Sequence, residues 1–251
     1  MDKIHRRDKV MIFVDGNYVY KCIEEANKVL SKDNKRINFQ AYELIELLNK
    51  AFQELKGEND LRRTYYYNSY PPLESDKSRK NSVDKLIWQI EAKTQMPLAK
   101  IQEKITELMH NGIAREQILK DLQLSEQEFI AQKMCFESSK QMKFYEVLQY
   151  RGPKVILKKL KKDNQGNYYQ KGVDIYIASD MLSLAFENGY DVAMIVSGDA
   201  DFIEVINKIQ EKGKLVYLAC FEEGKSFELQ RICDGFICLD KLLPKPAAIR
   251  K

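Results

Sequence analysis

Four aspartates stand where apolar runs give way to turns: Asp15 in "FVDGN", Asp174 in "KGVD", and Asp199 and Asp201 in "IVSGDADFIEVI". They are the residues best placed to do chemistry. The chain has only two histidines, His5 and His110, so His-based triads and His-rich metal sites lack raw material. Its five cysteines (Cys22, Cys135, Cys220, Cys233, Cys238) form no CxxC pair, and no zinc site is expected. Cys220, in an apolar run, reads as a reduced buried thiol. Carboxylates must therefore carry any reaction. Four of them converging would repel one another unless cations neutralised them, and oxygen ligands without His or Cys point to Mg²⁺ or Mn²⁺. Such ions lower the pKa of a bound water and stabilise charge developing on a phosphate.

Each acid also has a plainer reading. Asp is a preferred helix N-cap, so Asp174 and Asp199 could each be a cap worth about 1 kcal/mol, and Asp15-Gly16 could be a turn. The case for a site is their joint occurrence at the end of a first strand, at a helix start and at the end of a later strand. Ser197-Gly198 adds a hydroxyl and uncrowded backbone before Asp199, and the Asn17 amide can orient a carboxylate or a water.

The elements that must position these acids are legible in the spacing. Val10 to Val14 reads as a buried strand stopped by Asp15-Gly16. Ala41, Leu44, Ile45, Leu47, Leu48, Ala51, Phe52 and Leu55 mark one apolar helix face. "LRRTYYYNSYPP" (61–72) reads as a second strand ended by prolines. From 73 to 150 the texture is Lys-, Glu- and Gln-rich and helical. Within it 112–129 has the spacing of a helix-turn-helix or of an ordinary helical hairpin.

After the helical stretch strand and helix alternate again: "PKVILKKLKK" as a strand, "VDIYIASDMLSLAFENG" as a helix, "YDVAMIVSGD" as a strand and "ADFIEVINKIQEKG" as a helix. "KLVYLACF", "KSFELQRICD" and "GFICLD" continue the pattern. Such alternation builds an α/β fold, a mainly parallel central sheet flanked by helices, here with a helical insertion. The expected organisation is one discontinuous domain, 1–72 and 151–243, an insertion at 73–150 and a flexible tail at 244–251. In an open parallel sheet, ligands bind beyond the carboxyl ends of the strands where consecutive connections diverge. Asp15 and Asp199 would share that crevice if their strands were neighbours.

Charge is less decisive. A net charge of +4 permits contact with polyanions without demanding it. "LKKLKKD" (157–163) and "KSRK" (77–80) concentrate cations, either as solvated faces or as phosphate contacts. No apolar stretch approaches the roughly 20 residues of a spanning helix, and the polar start lacks a secretory core, so a cytoplasmic protein with no membrane partner is expected.

"FVDGNYVY", "KGVDIYIASDML", "YDVAMIVSGDADFIEVINKIQEKGKLVYL" and "FELQRICDGFICLD" together resemble the NYN domain, in its LabA-like branch, within the PIN-like nuclease superfamily. The motifs stand in the family's order, the last three within one continuous third of the chain. The resemblance implies an α/β sandwich and an acidic divalent-metal site that cleaves RNA phosphodiesters. Carried over residue by residue, it makes Asp15, Asp174, Asp199 and Asp201 metal ligands and catalytic acids, with Asn17 and Ser197 as polar companions. Asp180 is a further acid of the pattern, yet it lies about 240° around an ideal helix from Asp174. The segment 73–150 is longer than the link expected in a minimal NYN domain, which leaves it as a lid, an RNA grip or a dimerisation element.

The expected function is thus a metal-dependent endoribonuclease. Lys171 and the run Lys158, Lys159, Lys161 and Lys162 would track phosphates, and the tyrosines of "RRTYYYNSY" would stack on unpaired bases unless the sheet core takes them. Two alternatives remain: a catalytically silent RNA- or protein-binding module, and a phosphatase of the haloacid-dehalogenase type. The latter needs a second Asp two residues after the first, where this chain has Asn17.

Overall fold

A computed structural model describes residues 7–33, 35–165 and 167–248; His5 and the last three residues of the expected tail lie outside them. In chain order the elements are β1 (Asp8–Asp15), α1 (Gly16–Leu30), β2 (Lys35–Arg36), α2 (Ala41–Gln53), β3 (Asn59–Ser69), α3 (Pro72–Ser75) and α4 (Lys77–Thr94). There follow α5 (Leu98–His110), α6 (Arg115–Asp121), α7 (Glu126–Tyr150), β4 (Lys154–Lys158), β5 (Lys161–Lys162) and β6 (Tyr168–Tyr169). Last come α8 (Val173–Phe186), β7 (Val192–Val196), α9 (Ile203–Gln210), β8 (Leu215–Cys220), α10 (Phe227–Ile232), β9 (Gly235–Cys238) and β10 (Ala247–Ala248).

The chain divides into two compact units. The first comprises the chain up to Ser69, Phe144–Lys158 and the chain from Gln170. The second comprises Tyr70–Lys143 and Lys159–Tyr169.

The first unit is built on a six-stranded, all-parallel sheet of order β4-β3-β1-β7-β8-β9. It is the α/β, mainly parallel sheet flanked by helices that the alternation implies. The apolar run of β1 is buried on both faces, as a central parallel strand requires. On one face Phe13, Ile195, Val216 and Leu218 pack in a single cluster with Ile177 and Met181 of α8, Ile206 of α9 and Leu229 of α10. Leu44, Leu47, Leu48 and Ala51 of α2, the periodic face read from the sequence, are buried. Chain connections run outward from β1 to β3 and β4, then return to β7 on the other flank of β1 and continue to β8 and β9. Their sense reverses between β1 and β7, and there an open sheet leaves a crevice at its carboxyl edge.

In the second unit Leu73, Val83, Ile87, Ile90, Ile101, Ile105, Ile118, Leu122, Leu124 and Phe129 form one apolar cluster. The 112–129 segment contributes residues from α6, the turn and α7 to that cluster, the arrangement of a packed helical hairpin. Ser125 caps α7 reciprocally: its Oγ accepts from the Glu128 amide while its own amide donates to the Glu128 carboxylate at 2.6 Å.

Two expectations are corrected. The run 153–162 is not one strand: β4 ends at Lys158, and Lys161–Lys162 pair antiparallel with Tyr168–Tyr169 in a separate hairpin. Leu160 interrupts pairing because its amide donates to the Ser75 hydroxyl instead. The tail is not wholly free either, since Ala247 and Ala248 pair antiparallel with Arg36 and Lys35. Among the described residues no helix is long and apolar enough to cross a membrane.

Candidate functional site

Asp15 is the last residue of β1 and the N-cap of α1. One carboxylate oxygen accepts from the amides of Asn17 (3.0 Å) and Tyr18 (3.1 Å), so the strand-to-helix turn itself fixes the side chain. Gly16 is required there because a Cβ would fall 2.3 Å from the ring of buried Tyr66. Asp15 is only 7% exposed. Burial, followed by the neighbouring charges of Asp174 and Asp199, pushes its pKa up to about 6 despite the two amide hydrogen bonds.

Asp199 follows β7, the strand that pairs directly with β1, with Val14 opposite Val196. It caps the short 3₁₀ turn Ala200–Phe202 by accepting from the Asp201 amide at 3.0 Å, and its own amide donates to the buried Ser197 hydroxyl at 3.2 Å. Gly198 cannot carry a side chain: a Cβ would meet the Gly224 carbonyl oxygen at 1.9 Å and the Tyr18 ring at 2.8 Å. Tyr18 also accepts from the Phe221 amide, so the loop after β8 and the first turn of α1 together clamp the SGD turn.

Asp174 lies in the first turn of α8, where the helix dipole favours negative charge. It is not the cap, which corrects that reading; Gly172, at φ +76°, holds the cap position. The pKa of Asp174 is raised by burial first, then by Asp199 and Asp201, and lowered by Lys158. Lys158, at the end of β4, donates to the Gly172 carbonyl at 3.1 Å, with its Nζ 4.2 Å from the centre of the partly exposed Tyr176 ring. Three distant segments thus bring Asp15, Asp174 and Asp199 within electrostatic reach at the sheet's switch point, with Asp201 within reach of Asp174.

The other expected residues fall out differently. Asp180 accepts from the Tyr67 hydroxyl at 2.8 Å, a partly buried anchor between α8 and β3. Asn17 contributes its backbone amide to Asp15. Lys171 is exposed beside Gly172. Lys159, Lys161 and Lys162 belong to the second unit, and Lys162 lies 3.8 Å from Asp76 there. Tyr65, Tyr66 and Tyr67 are all buried, so none offers a face to a base: Tyr65 stacks on Phe13, and Tyr66 packs on Phe144 and Tyr145. All five cysteines are free, with Cys220 fully buried and its thiol pushed up to about 12. Tyr176 and the Tyr18–Gly224 clamp were not read from the sequence. Their only trace there is an aromatic two residues after Asp174 and another three after Asp15.

The donor set fits a hard divalent cation in kind: carboxylates that raise one another's pKa, with a lysine as counter-charge. Among the described residues, however, no three acids, histidines or cysteines stand close enough to enclose an ion by themselves.

Comparison with known proteins agrees with this architecture. The fold is similar to that of a solved protein of unknown function from Vibrio parahaemolyticus, at a TM-score of 0.52 and 16% identity, over 97% of this chain and 99% of that one. A segment of 89 residues is 34% identical to an uncharacterized protein of Methanocaldococcus jannaschii, covering 36% of this chain and 37% of the relative, so little over a third of that protein's length is spanned. The family model of the NYN domain matches residues 115–240, half of the chain, which takes in Asp174, Asp199 and Asp201. With a parallel PIN-like sheet, acids at its switch point and that match, the chain belongs to the NYN domain family.

Proposed function

We propose that the protein is a divalent-metal-dependent endoribonuclease, working at the crevice between β1 and β7. The family's nuclease-like fold supports a hydrolase at the coarse level. The observation that carries the reading is the raised pKa of both Asp15 and Asp174, by burial first and then by the neighbouring acids of the crevice. Charge held together in this way is stable only when something cationic shares it. Asp15, Asp174 and Asp199, which as they stand do not enclose an ion, would hold Mg²⁺ or Mn²⁺ with water completing its shell, and the bound ion would supply charge neutralisation at the scissile phosphate.

The chain's own residues do the rest. The amides of Asn17 and Tyr18 occupy one oxygen of Asp15 and leave the other for the ligand. Ser197 and the Tyr18–Gly224 clamp keep Asp199 aimed at the same point. Asp201, exposed and within electrostatic reach of Asp174, would take the proton of the attacking water. As water adds to phosphorus, the bond to the leaving oxygen breaks and that oxygen takes a proton from solvent. Lys158 and Lys171 hold flanking phosphates, and the Tyr176 ring beside Lys158 offers a base a stacking face.

The test is cleavage of end-labelled RNA by purified protein in Mn²⁺ and in EDTA, with Asp199→Asn as control. Cuts that need the metal and vanish in the variant are expected. RNA left intact but bound would make the protein a silent binding module, and hydrolysis of small phosphomonoesters without RNA cleavage would make it a phosphatase.

A further inference from the structure

The two basic stretches of the sequence, 77–80 and 159–162, are some eighty residues apart, yet the second unit folds them onto one another. The Leu160 amide donates to Ser75 Oγ at 3.1 Å, and the Tyr168 hydroxyl donates to Asp76 Oδ2 at 2.7 Å. Asp76 also caps α4 through the Arg79 amide and lies 3.8 Å from Lys162 Nζ. The Tyr168 ring has two cations against it, the Arg79 guanidinium at 5.2 Å and Lys162 Nζ at 5.7 Å. Asp76 is thus a hub that ties the β5–β6 hairpin to the start of α4.

Charge at this junction is not balanced. Glu74 takes Lys80, with both oxygens 2.8 Å from Nζ, and Asp76 takes Lys162. Lys77, Lys159 and Lys161 are exposed and, among the described residues, pair with no acid; nor does the Arg79 guanidinium. Gathering cations costs repulsion, which the two acids and the Tyr168 ring offset only in part. Lys161 and the half-exposed Tyr169 pair directly in the hairpin and share its side opposite Lys162 and Tyr168, which sets an aromatic face beside a cation that pairs with no acid. Cations spaced along a hairpin and a helix start, with an open ring beside them, suit a single-stranded polynucleotide: phosphates for the lysines, a base for the ring.

We infer that the outer side of the hairpin, with Lys159, Lys161 and Tyr169, together with Lys77 at the start of α4, is a binding surface for single-stranded RNA, in the unit that does not carry the acids of the crevice. It rests on the reading of the protein as one that acts on RNA, but not on cleavage. The measurement is anisotropy of a labelled 20-nucleotide oligouridylate binding to the full chain in EDTA, across a salt series. The triple variant Lys77→Gln/Lys159→Gln/Lys161→Gln should lose about tenfold or more in affinity at low salt, and its log K against log[salt] slope should fall by about 2. A triple of equal charge change on exposed lysines of α5 and α6, Lys100→Gln/Lys104→Gln/Lys120→Gln, should keep most of the affinity. Replacement of the first three by arginine should also keep it, which separates lost charge from lost folding.

The inference fails if the first triple binds like wild type, if both glutamine triples weaken binding equally, or if the arginine triple also loses affinity. It fails too if polyglutamate competes as well as RNA, because the surface would then suit an acidic protein. Absence of metal-dependent cleavage would end the nuclease reading and leave these outcomes standing.

Discussion

At the scale of single residues, Asp15 holds two roles in one carboxylate. It caps α1 and it faces Asp174 and Asp199, so the cap geometry that suffices for a turn also presents an acid to the crevice. Its elevated pKa is a stability statement. An aspartate raised from 3.8 to about 6 binds its proton more tightly when folded than when unfolded. Its favourable contribution is therefore complete below pH 4 and is lost as pH rises through about 6, a difference on the order of 3 kcal/mol in the absence of a divalent cation. Asp15→Asn keeps a carbonyl oxygen for the Asn17 and Tyr18 amides and removes the charge. It should raise the melting temperature at pH 8 in EDTA, leave it nearly unchanged at pH 4, and abolish stabilisation by Mn²⁺. Thermal melts across that pH range, with and without the metal, check all three.

At the scale of elements, the site depends on turns that tolerate no side chain. Gly198 lies under the Gly224 carbonyl and against the Tyr18 ring, both parts of backbone or packed core that cannot swing away. Gly198→Ala should cost about 1–3 kcal/mol and reduce cleavage more than stability loss alone explains, because the displaced turn carries Asp199. Activity measured well below the variant's melting temperature separates the two effects. Much at this scale was legible beforehand. The apolar runs of β1, β7 and β8 ended at the acids or turns that punctuate them, and the α2 face repeated every three to four residues. The splitting of 153–162 was not legible, since its β-branched start and unbroken run without Gly or Asn suit a strand, and only the Ser75 hydroxyl, far off in sequence, diverts the Leu160 amide.

At the scale of the whole molecule, two units each own a core. Ile101 is completely buried in the helical cluster, which shares no residue with the sheet's cluster of Phe13 and Ile195. Ile101→Ala should cost the helical unit about 2–5 kcal/mol, while hydrogen exchange of the β1 and β7 amides stays at wild-type protection. Loss of protection in both units together would mean that they unfold as one. Chain order does not map onto these units: α7 starts in the helical unit and ends in the other, and β4 is followed at once by a hairpin of the helical unit.

The residue types alone settled which chemistry was open to this chain. With two histidines and no CxxC pair, carboxylates were the expected carriers of any reaction, and their positions at the ends of apolar runs placed them near strand ends in any parallel sheet. Local pattern also set the strand and helix alternation, because burial of one face imposes its own period. Which strands became neighbours was a matter of packing over long separations. The pairing of β1 with β7 put Asp15 beside Asp199, the docking of α8 on the sheet brought Asp174 to both, and the same docking sent Asp180 to Tyr67 instead. The three tyrosines of β3 were all drawn inside because helices cover both faces of the strand, with Asp180 of α8 bonded to Tyr67 and Phe144 and Tyr145 of α7 against Tyr66. Nor could the two basic stretches be joined in advance: the Asp76–Tyr168 contact that unites them spans 92 residues, and no local period encodes it.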